Sequence, residues 1–224
     1  MNNLLELFAG SRCMGQEAEK LGMNVFSVDW TAYKNIDLSI DIENMDKAQI
    51  PFIPDHVHAS FDCTTYTIAS ISTHRNGTEP KSEYAKKCDK VNQHVISLIK
   101  DWMKINPNMT FTFENPRGML RYMPFMQEFT RHTVWYCQYG DDRAKPTDIW
   151  TNLKNWKPKE MCRNYKYDKE GNIIDKHCHH ESARRGSKTG TQGKKGSYER
   201  SKIPLELCND LLKCSLETKI QYCL

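Results

Sequence analysis

No apolar run in this chain approaches the roughly 20 residues that a membrane-spanning helix needs; charged side chains break every hydrophobic stretch. The opening "MNNLLELFAG" has no basic leader and no apolar core long enough for a secretory signal, so an intracellular, reducing environment is expected. A disulfide framework is excluded on the same ground. The nine cysteines are odd in number, in a chain of 224 residues without an export signal. Each thiol then needs its own account: packing, metal binding or catalysis. A complete G-x-G-x-x-G is absent, and so is any internal repeat. The net charge of +4 is small, but residues 154–202 hold 14 Lys and Arg against 6 Asp and Glu, which leaves −4 for everything else. One end of the molecule is thus suited to a polyanion, with nucleic acid the first candidate and a solvated basic loop the plain alternative.

What is present reads as an α/β chain. "NLLELF" (3–8) is a short apolar strand, "AGSRC" a small-residue loop, "MGQEAEKL" a helix closed by Gly22, and "NVFSVDW" a second strand. This is the opening βαβ unit of a doubly wound, Rossmann-like sheet, and Gly10 precedes Asp29 by about the 20 positions that separate a nucleotide loop from a ribose-binding carboxylate. A tight turn followed by a strand-end aspartate reads equally well from spacing alone. "DHVHASF" is a third strand, ending before Cys63; residues 86–106 show helical periodicity; "MTFTFENP" and "HTVWYCQYG" are further strands. Cys63, Glu114 and the "QYGDDR" loop therefore fall at strand ends, where open α/β sheets carry their chemistry. Beyond Trp150 the chain turns basic and poor in aliphatics, reading as a long irregular insertion over 154–200. Within it Cys162, Cys178, His179 and His180 offer ligands for a structural zinc, against the alternative of histidines that bind nothing. "SKIPLELCNDLLKCSLETKI" is an amphipathic helix started by proline, expected to pack back on the first 153 residues.

The order of these parts resembles the cytosine-5 DNA methyltransferases, over residues 3–152 and more weakly over the last 25. "ELFAGSRCMG" is similar to the family's "DLFAGxGGxxxG", "SFDCTTYTIAS" to "SPPCxxFS", "FTFENPRGML" to "ENVxGL", and "QYGDDRAKPT" to its Tyr-Gly loop. "YGDDRAKPTDIWTN" and "RSKIP" look closest to the phage and prophage group. The resemblance implies an S-adenosylmethionine-dependent methyltransferase domain over 1–153, a target-recognition insertion over 154–200 and a closing helix over 201–224. It implies that Phe8, Ala9, Gly10, Asp29, Trp30, Asp41 and Ile42 hold the methyl donor. Cys63 is placed on the nucleophile, Glu114 on the acid that holds the cytosine, and Arg143 on the cation that favours the thiolate, with Lys145 and Arg117 as the alternatives for that cation. Arg117, Lys145, Arg184, Arg185 and Lys188 are expected on duplex DNA, whose target base must be flipped out to be reached. A monomer in the cytoplasm of a bacterial or phage-infected cell is the expected setting. Two alternatives keep the fold: a catalytically impaired DNA-binding protein, or a methyltransferase acting on RNA. The first is suggested by Asp62, where the family has a proline that rigidifies the loop and no carboxylate to raise the thiol pKa.

Overall fold

The computed structural model describes residues 2–163, 165–170, 172–176, 178–180, 194 and 196–220. The run "NLLEL" forms β1 (Asn3–Leu7), which pairs in parallel with β2 (Asn24–Asp29) on one side and β4 (His56–Ser60) on the other. A two-residue β3 (Leu38–Ser39) extends the sheet beyond β2, and β5 (Thr110–Pro116) pairs in parallel with β4. The strand order is 3-2-1-4-5-7-6, where β6 is Arg131–Trp135 and β7 is Pro146–Thr151. Within this sheet β7 runs opposite to the other six strands, wedged between β5 and β6. The order of strand addition reverses between β1 and β4, the topological switch point at which such sheets bind ligands.

One sequence expectation is corrected by the sheet. "HTVWYCQYG" is not one strand: it leaves the sheet after Trp135 and winds into a 3₁₀ turn, Tyr136–Tyr139, ended by Gly140 at φ 84°. The left-handed conformation there suits glycine, and the turn carries the Tyr136 hydroxyl to Glu114. The antiparallel β7 was not anticipated, because strand order across a sheet is not a local property of the chain.

Period-2 alternation gives each strand two faces. On one, helix α2 (Glu83–Ile105), capped by the Ser82 hydroxyl accepting from the Ala85 N–H, packs Val91, Val95, Ile99 and Trp102 against Leu5, Leu7, Val57, Phe111 and Phe113. On the other, α1 (Cys13–Lys20) and the C-terminal α4 (Leu205–Ile220) cover Leu4, Val134 and Ile149 with Met14, Ala18, Leu207, Leu211 and Leu212. Between β7 and α4 the chain forms a hairpin, β8 (Tyr165–Tyr167) with β9 (Ile173–Lys176), and a short α3 (Ser197–Ser201).

The face beneath α1 and α4 also buries a polar ladder. His56 and His58 meet the hydroxyls of Thr110, Thr112 and Ser60 at 2.7–3.1 Å, and Thr110 meets Ser215 of α4 at 2.6 Å. Glu6 lies beside them, accepting from the Met14 N–H at 3.2 Å and the Ser27 hydroxyl at 3.3 Å. Burial pushes the Glu6 carboxyl up to about 7, against the lowering effect of these donors and Arg12. The folded chain thus retains a proton that the unfolded chain releases from pH 4.5 upward, so stability falls as pH rises from 4.5 through 7. Burial also holds His58 down at about 3, which makes stability fall on the acid side, below about pH 6.5. Glu6→Gln keeps an acceptor for Met14 and has no charge to bury. Its thermal stability should exceed that of the native chain at pH 8 by about 3 kcal/mol, and the advantage should shrink toward pH 5; an equal gain at both pH values would contradict this account.

Candidate active site

The loop after β1 turns sharply: Phe8, Gly10 and Arg12 all have positive φ, at 55°, 50° and 54°. Such backbone is costly for Phe and Arg and is sustained by surrounding contacts. Gly10 N–H donates to Asp29 Oδ2 at 2.9 Å, Ala9 N–H to the Val28 carbonyl at 3.1 Å, and Thr31 N–H to Asp29 Oδ1 at 2.8 Å. The Arg12 guanidinium turns away from the loop to Ser27 and Glu19. Burial raises the Asp29 carboxyl above the usual range against the N–H groups of Thr31, Gly10 and Trp30, and the neighbouring Trp30 indole is exposed. Asp41 caps the 3₁₀ turn Ile42–Asn44 and pairs with Lys87 of α2 at 2.5 Å, which holds its carboxyl below the usual range; Ile42 is buried beneath. Phe8 meets Phe61 edge to face at 5.8 Å, so the β1 loop abuts the loop that follows β4.

That second loop presents Cys63. Without a proline, its shape is set by Asp62, whose Oδ1 accepts from the Thr64 N–H at 2.7 Å in an Asx turn and whose Oδ2 accepts from the Tyr84 hydroxyl of α2. The Cys63 carbonyl accepts from the N–H groups of Tyr66 and Thr67 at 3.0 Å, and the Asn115 amide donates to the Phe61 carbonyl at 2.7 Å. Gly118 closes the arrangement: a Cβ there would lie 2.3 Å from the Tyr66 carbonyl oxygen, so only glycine lets the exit of β5 lie against the Cys63 turn. Asn115 Oδ1 is the one fully buried side-chain polar atom without a partner among the described residues.

Glu114 stands opposite Ser60 in the β4–β5 register, beside the Cys63 loop. It is buried, accepts from the Tyr136 hydroxyl at 2.7 Å, and is raised above the usual carboxylate range by burial, against Lys145, Tyr136 and Arg143. Burial likewise pushes the Cys63 thiol up to about 11, with further upward contributions from the charges of Glu114 and Asp62, while Lys145 acts downward. Lys145 is therefore the cation that faces both groups. It is buried, sits 4.6 Å from the centre of the Tyr136 ring, donates to the Arg200 carbonyl, and is lowered by that burial. This placement does not suit the phosphate contact expected of it. Arg143, expected as the catalytic cation, is committed elsewhere: its guanidinium grips Asp141 at 2.5 and 2.7 Å and donates to the carbonyls of Arg200 and Lys202. It fastens the Tyr-Gly loop to α3.

Of the remaining residues expected on DNA, Arg117 is exposed at the rim beside Ile68 and Tyr122, whereas Arg184, Arg185 and Lys188 lie outside the described residues. Of the expected zinc ligands, Cys162, Cys178 and His180 converge. His179 does not join them, its Nε2 lying 2.9 Å from the Asp141 carbonyl, and Cys137, which the sequence placed in a strand, takes the fourth position. No spacing rule links Cys137 to the other three; only the 3₁₀ turn brings it there.

No family model matches the chain, and no curated protein matches it. Among solved structures it is similar to a protein assigned as a DNA modification methyltransferase encoded within an E. coli prophage, at 11% identity and a TM-score of 0.50, over 72% of this chain and 52% of that one. It is also similar to a mutant of Spodoptera frugiperda DNMT2 (15% identity, TM-score 0.47, 71% and 54% coverage) and to S. pombe Dnmt2 methyltransferase (10%, 0.45, 67% and 48%). The chain spans about half the length of the solved structures it matches. At these identities the likeness is one of fold: a mostly parallel, seven-stranded, Rossmann-like sheet.

Proposed function

We propose that this chain methylates carbon 5 of cytosine in duplex DNA, with S-adenosylmethionine as the methyl donor. The observation that carries the reading is the convergence of a thiol, a buried carboxyl of raised pKa and a buried lysine at the carboxyl edge of the sheet, next to a glycine loop closed by a carboxylate. Asp29, a carboxylate at the end of β2 beside the glycine loop, suits the ribose hydroxyls of the donor, and Gly10, Phe8, Ala9, Trp30, Asp41 and Ile42 line the adjoining strand ends. When bound, S-adenosylmethionine supplies the electrophilic methyl group that carbon 5 takes up.

The protein's part is to make carbon 5 nucleophilic. The Cys63 thiolate adds to carbon 6, forming a C–S bond, and the displaced electron pair makes carbon 5 an enamine carbon. The ring becomes electron-rich at nitrogen 3, which a protonated Glu114 neutralises by donating its proton or a strong hydrogen bond. Lys145 favours the thiolate and opposes the desolvation of both groups. Asn115 Oδ1, buried without a partner, offers an acceptor to a base that carries an amino group. After methylation a base takes the carbon 5 proton, the freed electron pair re-forms the double bond between carbons 5 and 6, the C–S bond breaks to release the Cys63 thiolate, and the proton on nitrogen 3 returns to Glu114. Arg117, exposed on the rim, is suited to a phosphate.

The second reading, a DNA-binding protein of low activity, is favoured by the Cys63 thiol itself: at about 11 it is almost wholly protonated at neutral pH. One assay separates the readings. Labelled methyl transfer from S-adenosylmethionine should appear at cytosine carbon 5 of duplex DNA, with the rate rising toward alkaline pH. Transfer to RNA in place of DNA would reassign the substrate. DNA and donor binding without transfer at any pH would establish the binding protein.

A further inference from the structure

The four side chains Cys137, Cys162, Cys178 and His180 place their ligand atoms within 4.8 Å of one another, and three of the four residues are buried. The Cys162 sulfur and His180 Nδ1 are 3.6 Å apart. A tetrahedral zinc with Zn–S of about 2.3 Å and Zn–N of about 2.0 Å requires its ligand atoms about 3.5–3.8 Å apart, so only a small contraction separates this cluster from a closed Cys₃His site. None of these cysteines is in a disulfide. The surroundings are those of a ligand shell: the N–H groups of His179 and His180 approach the Cys178 sulfur, and the Gln138 amide reaches the sulfurs of Cys137 and Cys178 at 3.9 Å.

We propose that these four residues bind one structural zinc ion, and that the ion bolts the β8–β9 hairpin to the wall of the candidate active site. The topology supplies the reason a metal is needed. Cys162 and Cys178 flank the hairpin at its base, and strands of three and four residues cannot hold such a ribbon together in water. Cys137 lies on the other side of the joint, in the 3₁₀ turn, directly after the Tyr136 whose hydroxyl holds Glu114. His179 reinforces the joint through the Asp141 carbonyl, and Asp141 grips Arg143. With three thiolates and one imidazole the site has no open coordination position, which marks it as structural rather than catalytic. The hairpin is then held by the ion in register with the 3₁₀ turn, and through Tyr136 with Glu114.

The test reads the metal directly, and its result stands whatever becomes of the proposed methyl transfer. The full chain, purified without chelator, should carry one zinc per molecule, and X-ray absorption should show three sulfur neighbours and one nitrogen. Cobalt(II) offered to the stripped chain should give the visible spectrum of a tetrahedral thiolate site. Cys137→Ser should lose most of the metal, whereas His179→Ala should keep it. Should Cys137→Ser fail to fold, the absorption spectrum of the native chain still decides the ligand set. A native chain that takes up neither ion, or one whose zinc has two sulfurs and two nitrogens, or a His179→Ala variant that loses the metal, would overturn the assignment.

Discussion

Replacing Cys63 with serine should lower methyl transfer by on the order of 10³-fold or more, with the fold and DNA binding unchanged. The exchange is nearly isosteric at a half-buried position, and the turn is held by the Cys63 carbonyl, the Asp62 side chain and Asn115, none of which involves the sulfur. What is removed is the atom that bonds to carbon 6. A hydroxyl beside Glu114 and Asp62 has little prospect of ionising, since burial, with the same charges adding to it, already holds the thiol at about 11. The native rate should accordingly climb through the neutral range as the thiolate population grows. Lys145→Met retains the thiol and removes the cation that acts on it, which should displace the rising limb to higher pH. Substantial transfer by Cys63→Ser, or a pH profile indifferent to Lys145, would refute the assigned nucleophile.

Glu114→Gln should cost roughly 10²- to 10⁴-fold, the usual worth of a positioned general acid. Glutamine retains an oxygen for the Tyr136 hydroxyl and an N–H for nitrogen 3, so binding should survive better than turnover. The sign of the pH effect follows from the carboxyl's raised pKa, set by burial against Lys145, Tyr136 and Arg143, with Asp148 adding to the rise. The acid form exists below that value, so the native rate should bend downward once pH exceeds it, while the Cys63 limb continues to push upward. The bend should be missing in the glutamine variant. An unchanged rate and an unchanged bend would remove Glu114 from the mechanism.

Asp62 shows how a departure from a family pattern can be absorbed. Read from sequence, it stands for a missing proline and an added charge. In the fold it rigidifies the loop by another route, through the Thr64 N–H and the Tyr84 hydroxyl, and its charge acts on Cys63 less than burial and Glu114 do. The neighbouring Gly118 has a role no composition suggests: it lets β5 pass against the Tyr66 carbonyl.

Alternation of apolar residues, small-residue loops and helical spacing are local properties. From them alone follow the α/β class and the position of Gly10, Asp29, Cys63 and Glu114 at strand ends, which the parallel register of β1, β2, β4 and β5 gathers on one edge. Tertiary structure decided what lies between segments distant in sequence. It inserted β7 against the order of the chain, gave the place beside the thiol to Lys145 while binding Arg143 to Asp141, and exchanged His179 for Cys137 in the metal cluster. The physical reason is common to all three: strand pairing, charge interaction and metal coordination between distant segments depend on distance and direction, and these are settled only when the elements pack.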